Sequence, residues 1–114
     1  MAEEAKVIEG DILVDPPAAL DGALAVVRLR ETPLADAPAR DVASTRVPCS
    51  GAAVRRIRFR LAARIDRTRD YSLAAEVRRD GGDRLRPGDL LTTEHHGWHP
   101  DDRGHVQLRT RTIS

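Results

Sequence analysis

The chain has 114 residues, which is enough for one domain and leaves little room for a second. Hydrophobic residues make up 40% of it, which argues against global disorder, but aromatic residues make up only 3%, so aliphatic side chains must fill most of the core. The 19 basic and 18 acidic residues leave a net charge of +1, which excludes a general electrostatic attraction to nucleic acid or anionic membranes.

Apolar residues recur at every second position along much of the chain, which is the pattern of strands with one buried face. In chain order, the pattern predicts seven strands, at residues 6–14, 23–30, 42–47, 54–61, 71–77, 90–94 and 105–113. The fourth is the clearest, because three arginines alternate with three large apolar residues. A strand places all three arginines on one solvated face, whereas a helix would scatter them. Segments rich in Pro, Gly and Asp separate the strands.

Short strands at this spacing predict an all-β fold, a small antiparallel Greek-key β-sandwich of the immunoglobulin or transthyretin-like kind. Residues 6–114 are expected to form this single domain, preceded by a flexible N-terminus at 1–5. The interval between Leu61 and Tyr71 is too long for a tight hairpin and suits a crossing from one sheet to the other. Tyr71 then lies where a tyrosine corner would form, with its hydroxyl bonded to nearby backbone. An ordinary buried tyrosine is the alternative.

Features that direct export or membrane attachment are missing from the sequence as given. Cys49 is the only cysteine, so no intrachain disulfide can form. The first residues are acidic and lack the parts of a signal peptide, and no apolar run approaches the ~20 residues that span a bilayer. We therefore expect a cytoplasmic protein without membrane insertion. A removed export signal would instead place it in the cell envelope.

Three segments resemble parts of a known family. Residues 16–31 look like its opening, a proline-rich turn followed by a strand that ends in an acid. Residues 34–39 read Leu-Ala-Asp-Ala-Pro-Ala, which is similar to its most distinctive loop, and residues 57–77 match its middle strands. Over roughly residues 7–112, the chain thus resembles the YbaY-type lipoprotein domain. That family is grouped with the YscW-like pilotins, the lipoprotein chaperones of type III secretion.

The resemblance implies a β-sandwich and a cell-envelope setting. Pilotin members of the family bind a secretin and assist its assembly in the outer membrane, and the family offers no catalytic residues to carry over. This chain departs from the pattern because it lacks the signal peptide and the lipidated cysteine, and Cys49 lies mid-chain. The fold is therefore expected to carry over better than the location or the pilotin role.

A histidine-rich loop is the most suggestive chemistry in the sequence. Imidazoles with carboxylates nearby are ligands for zinc and other divalent ions. The spacing matches no established zinc signature, however, and a loop rich in His, Gly, Asp and Pro is usually only solvated. We predict no cofactor, and the candidate metal ligands are His95, His96, His99 and His105.

Candidate residues for partner binding are Trp98 and the arginine stripe of the fourth strand, Arg56, Arg58 and Arg60. Trp98 is expected to cap the core, although a lone tryptophan is also a common binding anchor. The stripe can bind phosphate or an acidic partner, or be neutralised by a carboxylate such as Glu76. It can also be a solvated face that guards against edge aggregation. Nucleic-acid binding is not expected, because no aromatic residues interleave with the arginines.

These observations predict a non-enzymatic binding or chaperone-like module, because no catalytic motif is present. It would hold a partner segment by strand addition to a sheet edge or in an apolar groove between the sheets. The alternative is a metal-binding or metal-dependent protein that uses the loop at residues 95–105. A weak homodimer formed through unpaired edges is a third possibility.

Overall fold

The computed structural model describes residues 3–32 and 38–114 of the protein. This part of the chain contains nine strands and no helix, so it holds no helix that could cross a membrane. The strands are β1 (Glu3–Ala18), β2 (Leu24–Thr32), β3 (Arg40–Pro48), β4 (Val54–Asp66), β5 (Asp70–Arg78), β6 (Leu90–Leu91), β7 (His96–Trp98), β8 (Val106–Arg109) and β9 (Arg111–Thr112).

Two packed sheets form a small β-sandwich, which confirms the predicted all-β fold. Sheet 1 has the order β4-β1-β8, and sheet 2 has the order β3-β2-β5-β6-β9, with β7 also paired to β5. Strands β1 and β4 are antiparallel neighbours in sheet 1, while the antiparallel pair β2 and β3 lies in sheet 2. The path from β1 to β4 therefore has Greek-key connectivity.

Sheet 1 is not purely antiparallel, which corrects the predicted arrangement. Strand β8 runs parallel to β1, with Cα partners from Gly10 and Val106 to Leu13 and Arg109. The predicted strand at 105–113 is in fact two strands, because the chain changes sheets at Thr110. The Thr110 hydroxyl donates to the carbonyl of Leu13 at 2.8 Å, and β9 then pairs with β6 in sheet 2. Alternation of apolar residues reports which face is buried, but not the direction of the neighbouring strand.

Several strand ends also differ from the prediction. Strand β1 begins at Glu3, which pairs with Asp66, so it includes residues that the sequence assigned to a flexible N-terminus. Strand β4 continues to Asp66, and the crossing to sheet 2 is a short turn rather than a long connection. The change of sheet itself is confirmed. Strand β6 ends at Leu91, and β7 was not predicted, because three residues are too few to show a period.

The core between the sheets is mostly aliphatic, as the composition predicts. The inward residues expected on β2, β4 and β5 are all buried, while Arg56, Arg58 and Arg60 of β4 point to solvent. All three aromatic side chains of the protein also lie in the core: Phe59, Tyr71 and Trp98. The predicted alternation is therefore confirmed on these three strands.

Tyr71 forms the tyrosine corner that the sequence suggested. Its hydroxyl accepts a hydrogen bond of 2.8 Å from the backbone N–H of Asp66, the last residue of β4. Its ring packs edge to face on Trp98, with centroids 6.2 Å apart and planes at 67°. The corner thus joins the end of β4 in sheet 1 to the start of β5 in sheet 2.

We expect the Tyr71→Phe variant to lose about 1 kcal/mol of stability. The phenyl ring keeps its contact with Trp98, but the Asp66 N–H loses its acceptor. Urea unfolding followed by tryptophan fluorescence would measure the difference. Ser72→Ala, on the same strand but on its outer face, is the control. A Tyr71→Phe protein as stable as this control would show that the hydroxyl contributes nothing.

Candidate functional site

A groove opens at one end of the sandwich, where the start of β1 and the end of β4 meet the start of β3. It has a volume of about 910 Å³. Its apolar lining consists mostly of small residues: Ala5, Val7, Val42, Ala43, Ala62, Ala63 and Tyr71. Alanines on neighbouring strands leave space that larger side chains would fill, and this space is the groove.

Val7 distinguishes this groove from the rest of the surface. It is 47% exposed, and no other large hydrophobic residue in the described part of the chain is exposed. Ala62 lies directly opposite it on β4. An apolar strip with charged margins is typical of a site that holds a segment of another protein.

Charged residues of both signs form the margins of the groove. The carboxylate of Glu31 lies 2.9 Å from Arg40 and 3.0 Å from Arg69, so it joins the start of β3 to the β4–β5 turn. Thr68 donates to the Asp66 carboxylate from its backbone and from its hydroxyl, which lowers the pKa of Asp66 and keeps it ionised at neutral pH. Ordered charges of alternating sign can orient a bound segment.

The edge of sheet 2 forms one wall of the groove. Strand β3 has β2 as its hydrogen-bonded neighbour and ends the sheet on its other side within the described chain. An extended segment in the groove can therefore add to β3 through main-chain hydrogen bonds while its side chains contact the apolar strip. Sequence reasoning expected a groove or an edge but assigned no residues to it. The clustered alanines at 62 and 63, in a strand of otherwise large residues, were the available signal.

The arginine stripe lies on the outer face of sheet 1, away from the core. Arg56 and Arg58 are 66% and 72% exposed and lie 3.8 Å and 3.6 Å from the buried carboxylate of Asp11 on β1. The alternative in which Glu76 neutralises the stripe is wrong. Glu76 lies on β5 in sheet 2, where it is bonded to Arg28 and Arg78. The burial of Asp11 beneath the stripe was not predicted, because the alternation of β1 places this residue on the solvated face.

The candidate histidine ligands are not brought together. His96 lies in β7 and pairs with Leu73, whereas His105 lies 3.1 Å from the Asp11 carboxylate at sheet 1. Among residues 3–32 and 38–114, no three His, Cys, Asp or Glu side chains are grouped so as to hold a metal ion. His95 is exposed, and the structure therefore gives no support to the metal-binding alternative.

Local hydrogen bonds also occupy the groups around His99. Its Nδ1 accepts from the Asp101 N–H at 3.1 Å, and its own N–H donates to Asp102 at 2.9 Å. The Asp101 carboxylate accepts from Arg67, and this bond lowers the pKa of Asp101. These contacts fix the turn before β8 rather than create an open coordination site.

Trp98 is only 7% exposed and packs on Tyr71, so it caps the core, as expected. The alternative of an exposed binding anchor is wrong in this structure. Cys49 is half-buried, its thiol donates to the Val47 carbonyl at 3.4 Å, and burial raises its pKa. A thiol held in its neutral form is a poor nucleophile.

Comparison with known proteins gives one informative likeness. No family model matches the chain, and no curated protein sequence matches it. Its structure is similar to that of an alternative pilotin from the type II secretion system of Vibrio cholerae, with a TM-score of 0.76 and 27% sequence identity. The likeness covers 97% of this chain and 99% of the pilotin. It supports a pilotin-like relation but does not confirm the YbaY-type family. Most of the distinctive loop at 34–39 lies outside the described residues.

Proposed function

We propose that this protein is a non-enzymatic, chaperone-like binding module of the pilotin kind, which holds a segment of a secretion-system protein in the groove beside β3. The likeness to a type II secretion pilotin over nearly the full length of both chains carries the proposal. Sequence identity of 27% over that length argues for a relation beyond a shared sandwich architecture. The secretin is the partner that the sequence resemblance implied, and we propose it as the partner here.

The chemistry of the groove supports a polypeptide as its occupant. The strip of Val7 and Ala62 would bury apolar side chains, and the outer edge of β3 would pair with an extended backbone. The charged margins, including the carboxylate of Glu31, would set its direction. A volume of about 910 Å³ accommodates several side chains and not a whole domain.

The test measures binding to the secretin subunit of the same organism. Calorimetric titration should give one binding site per chain for the wild-type protein. The Ala62→Arg variant places a long charged side chain in the groove and should weaken binding at least tenfold. Because Ala62 is exposed, this change should leave the fold intact.

Ala52→Arg is the matched control, since Ala52 is exposed in the turn before β4 and away from the groove. It makes the same change of charge and size and should bind like the wild type. The proposal fails if the wild-type protein does not bind the secretin subunit. It also fails if the two variants bind equally well.

A further inference from the structure

The outer face of sheet 1 carries an ordered set of charges that the groove does not use. Its basic residues lie on the two edge strands and its carboxylates on the central strand, so each carboxylate lies between bases. We call this surface the arginine face. Its residues are Arg56, Arg58 and Arg60 on β4, Glu9, Asp11 and Leu13 on β1, Gln107 and Arg109 on β8, and His105 just before β8.

Positive charge on this face is only partly neutralised. Arg60 and Arg109 have no carboxylate of the described residues within 4.0 Å, and Arg56 and Arg58 share the single carboxylate of Asp11. Strand β2 of sheet 2 differs, because its Arg28 and Arg30 both form ion pairs within that sheet. The chain as a whole has a net charge of +1, so the excess on the arginine face is a local feature that composition conceals.

Asp11 organises the arginines around it. Its side chain is 3% exposed, and its Oδ1 is buried without a hydrogen-bond partner among the described residues. The nearest arginine nitrogen to this oxygen is Nε of Arg58 at 3.6 Å, so the two terminal nitrogens of that guanidinium remain available to a ligand. A buried carboxylate beneath exposed guanidinium groups preorganises them for an anionic ligand that approaches from solvent.

We propose that the arginine face docks an extended acidic segment of a partner protein, with carboxylates at alternate positions. Alternate residues of a strand are about 6.8 Å apart. Arg56, Arg58 and Arg60 have this spacing along β4, and an extended partner segment has the same repeat. Each partner carboxylate can then meet one guanidinium, in the bidentate geometry that arginine favours.

The face fits a polypeptide better than a layer of lipid phosphates. Glu9 is exposed among the arginines and would repel a continuous sheet of anions. A peptide can place its carboxylates over the flanking bases and present N–H donors to the exposed Glu9 instead. The proposal goes beyond the function of the groove and does not depend on it.

The test uses a fluorescein-labelled synthetic peptide of twelve residues in which Glu and Ser alternate. Fluorescence anisotropy would measure its binding to the wild-type protein and to the double variant Arg60→Gln/Arg109→Gln. Neither residue forms an ion pair with Asp11, so the buried carboxylate keeps its ion-pair partners Arg56, Arg58 and His105. We expect the double variant to bind about tenfold more weakly, a loss of about 1.4 kcal/mol.

The matched control is Arg46→Gln/Arg84→Gln, which removes two exposed arginines outside the face that also lack a carboxylate of the described residues within 4.0 Å. This control should change the affinity less than twofold. Raising the salt concentration from 0.1 M to 1 M shortens the Debye length from about 10 Å to about 3 Å and should weaken wild-type binding at least tenfold.

Two results would overturn the proposal. In the first, both double variants weaken peptide binding equally, which would show a response to net charge alone. In the second, phosphatidylglycerol vesicles bind in a manner that depends on Arg60 and Arg109 while the peptide does not bind, which would identify a lipid-binding surface. Circular dichroism of all variants would verify that the fold is unchanged.

Discussion

The Glu76→Gln variant is expected to lose about 3 kcal/mol of its free energy of unfolding. The buried carboxylate of Glu76 accepts from Arg28 and, at 2.7 Å, from Arg78, whose side chain is itself buried. Removing the negative charge leaves the buried guanidinium of Arg78 without a counter-charge, while Arg28 keeps only the carboxylate of Asp41 at 3.7 Å. Breaking a buried ion pair from one side is among the most destabilising single changes. Urea unfolding at pH 7 would measure the loss.

The same variant should also lose part of the acid sensitivity of the protein. Burial raises the pKa of Glu76, but the hydrogen bonds and charges of Arg28 and Arg78 outweigh it and hold the pKa below its ordinary value of 4.5. A lowered pKa in the folded state means that the unfolded state binds the proton more tightly. The stabilisation is therefore complete above about pH 4.5 and disappears as the pH falls through the folded-state pKa.

Unfolding curves at a series of pH values from 7 to 3 would separate the two proteins. The wild type should lose more stability over this interval than Glu76→Gln, so their stabilities should converge at low pH. Glu9→Gln is the control, because Glu9 is exposed on a strand of the other sheet and its replacement should change stability by less than about 0.5 kcal/mol. Parallel curves for Glu76→Gln and the wild type would refute this account of the ion pair.

The second large effect is expected at Gly10, in the centre of β1. A Cβ atom there would lie 2.4 Å from the Val106 carbonyl oxygen and 2.8 Å from the Phe59 ring. Both distances are far below van der Waals contact, and neither neighbour can move freely in a packed core. Gly10→Ala should therefore cost about 3 kcal/mol and loosen β8 from β1, as urea unfolding and amide hydrogen exchange at Val106 would report.

Two further variants define the cause of this effect. Gly97→Ala is the control, since the nearest atom to its added Cβ is a His95 side-chain nitrogen at an ordinary 3.6 Å. Its stability should stay within about 0.5 kcal/mol of the wild type. Adding Phe59→Leu to Gly10→Ala should restore little, because the shorter distance is to the backbone of β8. Full recovery in the double variant would show that the Phe59 ring, and not β8, requires the glycine.

The sequence was sufficient to predict the sandwich because its alternation is strongest where the core is deepest. In residues 54–61, exposed arginines alternate with buried apolar residues, so each of these side chains indicates its own face of the strand. In residues 71–77, the inward positions are all apolar and buried. The position of Tyr71 after a turn suggested the tyrosine corner but left an ordinary buried tyrosine as an alternative, and the hydrogen bond to Asp66 decides for the corner. In these segments, the alternation that favours a strand and the burial in the core require apolar residues at the same positions.

The features that the sequence did not predict depend on contacts between distant parts of the chain. Gly10 appeared to interrupt the first strand, whereas it allows β8 to approach. Asp11 and Glu76 occupy outward positions in the alternation and are nevertheless buried, because arginine side chains from neighbouring strands cover them. The groove arises where the start of β1 and the end of β4 meet the start of β3, so no single segment carries its signature.

The position of β1 between β4 and β8 has a consequence for biosynthesis. Nearly the whole polypeptide separates Gly10 from Val106, so one side of β1 has no partner until almost all residues have left the ribosome. Closing so long a loop is slow and entropically costly. We expect a stalled nascent chain that lacks β8 to be cleaved rapidly near β1 by added protease, whereas the released protein resists cleavage there.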